Sequence, residues 1–141
     1  MKPKSWLRLL VIPLAFALSA ESCDETRGPE KVLKLTLRGY NSAWKWGKPE
    51  QLVAFQEPDW TTKHPDYKFQ LERLAQYHVA SYIETQTRRS AEDKVEQVVT
   101  IDLVNEHTQA VRSIVDRQEW KWDAKSQHWY LTTGLPDLSA E

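Results

Sequence analysis

Val95-Glu96-Gln97-Val98-Val99-Thr100-Ile101-Asp102-Leu103-Val104 is a run of β-branched and alternating residues long enough to cross a sheet. Ile101 and Leu103 fall on one face of the strand it implies. Thr100, Asp102 and Val104 fall on the other. Upstream, Tyr77, Val79, Ser81 and Ile83 alternate with His78, Ala80 and Tyr82, and the polar stretch Ser90-Ala91-Glu92-Asp93 joins the two runs as a turn. Downstream, Asn105 to Thr108 turns into a long strand reaching Trp122, and Asp123-Ala124-Lys125-Ser126 turns into a last strand, His128 to Thr133. Four strands joined by short polar turns predict an antiparallel meander, which needs a cover on one face.

The cover precedes the sheet. Pro29 and Glu30 open a helix, because proline presets φ where N–H groups lack partners and glutamate favours the positive end of the dipole. Val32, Leu33, Leu35, Leu37, Tyr40, Trp44 and Trp46 give that helix a broad apolar face, and Gly47 is expected to end it as a left-handed cap. A second helix is expected over Glu50 to Phe55, between Pro49 and Pro58. A third follows His64-Pro65-Asp66, carried by Tyr67, Leu71 and Leu74 at i, i+4, i+7. The expected fold is α+β, with three N-terminal helices packed on a curved four-stranded antiparallel sheet in a single domain, 29–141.

What lies before Pro29 predicts an address. Lys2, Lys4 and Arg8 form a basic head, Leu9 to Leu18 an apolar stretch too short for a stable span, and Ser19-Ala20-Glu21-Ser22 a small-residue exit. Residues 1–22 therefore read as a secretory signal, and residues 23–28 as a polar tether. Cys23, the single cysteine of the chain, would then stand first in the exported protein, where it has no intramolecular partner in an oxidising space. The stretch Leu18 to Cys23 resembles a bacterial lipobox, with departures at Ala20 and Glu21. Lipidation of Cys23 would explain the cysteine's position and tether the domain to the periplasmic side of a bacterial membrane. By the same resemblance Asp24, with Glu25, favours the inner membrane.

Composition excludes several classes. From Cys23 onward there are 16 Lys/Arg and 19 Asp/Glu, a net charge of about −3, which argues against a nucleic-acid partner. The only adjacent basic pair after the leader is Arg88-Arg89. His64, His78, His107 and His128 lack metal-ligand spacing, so no metal is expected. His78 alternates with core positions and is expected to be partly buried with a satisfied hydrogen bond, while the other three fall in or beside turns and are expected to be solvated. Neither a glycine-rich phosphate loop nor a nucleophile elbow is present, and no cofactor is implied. Six tryptophans follow the leader, each with a large apolar area and an indole N–H that needs a partner.

Tyr40-Asn41-Ser42-Ala43-Trp44-Lys45-Trp46-Gly47 and Glu119-Trp120-Lys121-Trp122-Asp123, with His128-Trp129-Tyr130-Leu131, resemble segments of small proteobacterial lipoproteins of the nuclear-transport-factor-two-like (cystatin-like) superfamily. The resemblance implies a cone, with helices in the concave side of a bent sheet. It also implies a non-catalytic module that binds an envelope protein or a small apolar ligand, through Tyr40, Trp44, Trp46, Trp60 and Tyr82. Some members of that superfamily, such as ketosteroid isomerase, are enzymes. Chain order implies Tyr40, Asp59 and Asp102 as the acid/base set of that alternative, with Asp59 as base and Tyr40 and a protonated Asp102 as donors.

Overall fold

A computed structural model describes residues 28–138. The expected signal, Cys23 and nearly all of the tether lie outside the described residues. The chain begins with α1 (Pro29–Trp46), continues through α2 (Glu50–Val53), α3 (Trp60–Lys63) and α4 (Tyr67–Leu74), and ends in β1 (Tyr77–Ala91), β2 (Lys94–Asn105), β3 (Val111–Asp123) and β4 (His128–Leu131). The strands form one sheet in the order β1-β2-β3-β4, each pair antiparallel.

The three-helix layer is corrected. One helix of 18 residues, α1, supplies the cover, while α2 and α3 have four residues each and α4 eight. The cystatin-like cone with three packed helices is therefore not the architecture, although the class is α+β. The physical reason is length. Segments of one or two turns, set off by Pro49, Pro58 and Pro65, cannot cross a sheet, so each contributes one or two core side chains, namely Leu52, Trp60, Leu71 and Leu74.

α1 turns Leu33, Tyr40 and Trp44 toward the sheet, at i, i+7 and i+11. The Trp129 indole donates to the Pro29 carbonyl at 2.8 Å, pinning the start of α1 to β4. Gly47 ends α1 in an extended conformation, φ −90° and ψ −177°, rather than the expected left-handed one. Glycine is needed there for space. A Cβ would collide with Gln51 Oε1 and come 2.6 Å from the Ala43 carbonyl oxygen.

On the sheet, Val95, Val99, Ile101 and Leu103 of β2 face inward and are buried, as alternation requires. Ile101 lies between Tyr82 and Ile114, and Val99 between Glu84 and Asp116. β1 breaks register between Val79 and Ser81, Glu84 and Gln86, and Arg89 and Ala91, irregularities that bend and twist an edge strand. The turn between β1 and β2 is shorter than expected, only Glu92 and Asp93, and β4 stops at Leu131. The stretch after α2 joins the sheet: Leu131 N–H donates to the Phe55 carbonyl at 2.8 Å, and Gln56 bridges to Leu131 in parallel.

Candidate functional site

Two places in the domain hold more chemistry than packing alone requires. The first is a polar cluster on the inner face of the sheet. Asp116, only 6% exposed, accepts a hydrogen bond from Gln118 Nε2 at 2.7 Å. The same amide nitrogen lies 3.3 Å from the Tyr82 hydroxyl oxygen, and the Trp120 indole donates to Gln118 Oε1 at 3.2 Å. Burial pushes the Asp116 carboxyl above the usual carboxylate range, opposed by the Gln118 bond. Burial also raises the Tyr82 phenol. Nearby, Gln97 Nε2 donates to Thr87 Oγ1 at 3.1 Å.

Tyr40 stands over this cluster. Its ring meets those of Phe55 and Trp120 edge-on at 5.2 Å and that of Trp44 at 6.3 Å. Its hydroxyl is buried without a hydrogen-bond partner among the described residues, as is the Trp44 indole nitrogen. Burial, then the nearby Asp116 charge, pushes the Tyr40 phenol well up. The Trp44 indole beside it acts in the opposite direction. The Tyr40 ring is thus packed among three other rings, and Tyr40 does not line the groove described below.

The acid/base set does not assemble. Tyr40 is in the core, whereas Asp102 lies on the opposite face of β2 from buried Ile101 and Leu103 and accepts a bond from Ser113 Oγ across the outer surface. Asp59 precedes α3 in the open, paired with Lys63 Nζ at 2.7 Å, whose bond lowers the Asp59 pKa. The reason is parity: in a strand every second residue faces out, and Asp102 has the wrong one. Among the described residues no three His, Cys, Asp or Glu side chains cluster as a metal site. His78 is exposed and bonded to Glu106 at 3.1 Å rather than partly buried, and His64 stacks on Trp60 at 4.8 Å.

The second place is a groove of about 460 Å³ between α1 and α2, lined by Gly39, Ser42, Ala43, Trp46, Ala54 and Phe55 among others. Gly39 lies against the Phe55 ring, where a Cβ would sit 3.4 Å from two of its atoms. Trp46 stands at this groove 85% exposed. Of the five expected binding residues it alone is solvent-facing. Tyr40, Trp44, Trp60 and Tyr82 are buried. Residues two apart on a helix point about 200° apart, so Trp44 and Trp46 cannot both face the sheet. The residues that sequence reading passed over are the polar ones pointing inward, Gln97, Asp116 and Gln118. Their one signal is that they keep step with Val95, Val99 and Trp120.

No known protein family matches the chain, and no curated protein matches it. Among solved structures the domain is similar to a SEC-C motif-containing protein from Psychrobacter arcticus, with a TM-score of 0.56 and 12% identity over 78% of this chain and 63% of that one. The chain thus spans less than two thirds of that protein's length. At this identity the likeness is one of fold alone, and it adds nothing to the resemblance to nuclear-transport-factor-two-like lipoproteins.

Proposed function

We propose that the chain is a lipoprotein of the bacterial envelope, anchored through Cys23 on the periplasmic side of the inner membrane. Its domain is a non-catalytic binding module. The observation that carries the binding reading is Trp46, a large apolar side chain held in water at the lip of the α1–α2 groove. An exposed tryptophan beside a concave apolar surface has the character of a binding hot spot. The chemistry of the occupant follows from the lining: an apolar group, presented either by an envelope protein or by a small ligand. The separation of Tyr40, Asp59 and Asp102 favours this reading over acid/base catalysis.

The test is photo-crosslinking in native membranes, with p-benzoylphenylalanine at position 46 and, as control, at Lys125 in the exposed β3–β4 turn. The proposal expects a light-dependent adduct from position 46 and none from position 125. A protein adduct and a small-ligand adduct differ in mass, which identifies the source. Equal labelling from both positions, or none from 46, refutes the reading.

A further inference from the structure

Charge is unevenly divided in this domain. Residues 29–48 carry five Lys/Arg and one acid, net +4, whereas residues 49–138 carry ten Lys/Arg and fifteen acids, net −5. From Lys31 to Lys48 no acidic residue occurs. Lys31, Lys34, Arg38 and Lys45 follow one another at i, i+3, i+7 and i+14, which places them along one side of α1. That side is turned away from the sheet, since Leu33, Tyr40 and Trp44 occupy the opposite one. The only acid in the helix, Glu30, is paired with Arg89.

Beside the basic stripe runs a second line, Leu35, Gly39, Ser42 and Trp46, again at helical spacing. Leu35 is 49% exposed and Trp46 85%. A cationic stripe flanked by exposed leucine and tryptophan on a helix about 27 Å long has the chemistry of a helix lying in the headgroup layer. There the ammonium and guanidinium groups meet lipid phosphates, and the indole sits at the boundary between polar and apolar layers. Among the described residues no helix is long and apolar enough to cross a membrane.

We infer that the outer face of α1 is a docking surface for an anionic phospholipid bilayer, with Lys34, Arg38 and Lys45 supplying the electrostatic attraction and Leu35 and Trp46 the insertion. The inference deepens the lipoprotein reading and rests on it for one argument. Five residues, Asp24 to Gly28, separate Cys23 from Pro29, so a lipid on Cys23 holds the start of α1 within about 20 Å of the bilayer. A tether that short leaves the helix little choice of surface. Docked this way, the α1–α2 groove opens at headgroup level and takes its apolar occupant from the membrane, while the outer face of the sheet points to the periplasm.

The experiment uses the mature chain from residue 23 with Cys23→Ser, so that no lipid contributes, in co-flotation with vesicles of phosphatidylethanolamine and phosphatidylglycerol or of phosphatidylcholine. Binding is expected to the anionic vesicles, to fall with salt, and to weaken about fivefold for each basic residue neutralised near the surface. The pair Lys34→Gln and Arg38→Gln should therefore weaken it roughly 25-fold. The pair Lys121→Gln and Lys125→Gln, which removes the same charge away from α1, should not. Trp46→Ala should weaken binding while leaving its salt dependence in place, and circular dichroism checks that each variant is folded. Equal binding to both vesicle types, or equal loss in the two charge pairs, overturns the docking surface. So does capture of an acidic protein, with no lipid, by a crosslinker at position 38 in native membranes. Acylation of the native Cys23 is read separately by mass. An unmodified Cys23 with the expected flotation pattern sinks the anchor and leaves the surface, whereas an acylated Cys23 with flotation blind to lipid charge does the reverse.

Discussion

Removing one oxygen atom from the core is expected to stabilise this domain. Tyr40 is fully buried, and its hydroxyl has no hydrogen-bond partner among the described residues. A polar group desolvated without a partner costs about 1–3 kcal/mol. Tyr40→Phe removes that cost and keeps the ring contacts with Trp44, Phe55 and Trp120. The void left by one oxygen returns only a few tenths of a kcal/mol, at about 24 cal/mol per Å³. The net gain is about 1–2 kcal/mol, a rise in Tm of roughly 3–8 °C for a domain of this size. The assay is urea and thermal unfolding of the mature Cys23→Ser chain followed by circular dichroism, with Tyr40→Ala alongside. The alanine variant loses the ring as well and should fall by about 3–5 kcal/mol. A loss of more than about 1 kcal/mol in Tyr40→Phe would show that the hydroxyl makes a bond the packing does not reveal, and would refute the reasoning.

Asp116 supplies a pH-dependent counterpart. Burial raises its folded pKa above that of the unfolded chain, so its destabilising effect is absent below the unfolded value of about 3.9 and grows as pH rises through the folded value. Asp116→Asn, which can still accept from Gln118, should therefore exceed wild type in urea midpoint at pH 8, with the gap closing toward pH 3. A gap that widens toward acid would reverse the sign. Trp44→Ala, at a buried aromatic, should cost about 3–5 kcal/mol in urea unfolding, while Lys45→Ala should stay within about 0.5 kcal/mol; equal midpoints would mean that the helix face is misassigned. Cys23→Ser in the full chain should make membrane retention salt-sensitive, so that a high-salt wash moves the variant to the soluble periplasmic fraction while wild type stays bound, and retention of the variant through that wash would contradict the anchor.

Much of the fold was legible because it rests on strong periodicities. Leu33, Tyr40 and Trp44 at helical spacing, and Val99, Ile101 and Leu103 at strand spacing, are buried where those periods put them. The weight of the helices was not legible. Leu52, Leu71 and Leu74 are as apolar as any helix residue, but Pro49, Pro58 and Pro65 cut the stretch before the sheet, their segments run to one or two turns, and Trp60–Lys63 carries no period at all. The site was harder still. Aromatic type suggested binding at Tyr40, Trp44, Trp60 and Tyr82, yet large rings are also what a small core consumes first, and only geometry separates the two uses. Lys34, Arg38 and Lys45 form no run in the sequence, because a helix gathers charges three, four and seven apart. Gln97, Asp116 and Gln118 broke the rule that inward positions are apolar, and they satisfy one another or Thr87 instead.

Lipid anchorage would be written at the N-terminus of the exported chain. Intact-mass and N-terminal peptide spectrometry of the chain recovered from native membranes reads it directly. The expected chain starts at Cys23 and carries acyl chains on that residue, two or three of which anchor a protein stably where one would not. A chain that starts at any other residue, or at Cys23 with a bare thiol, contradicts lipid anchorage.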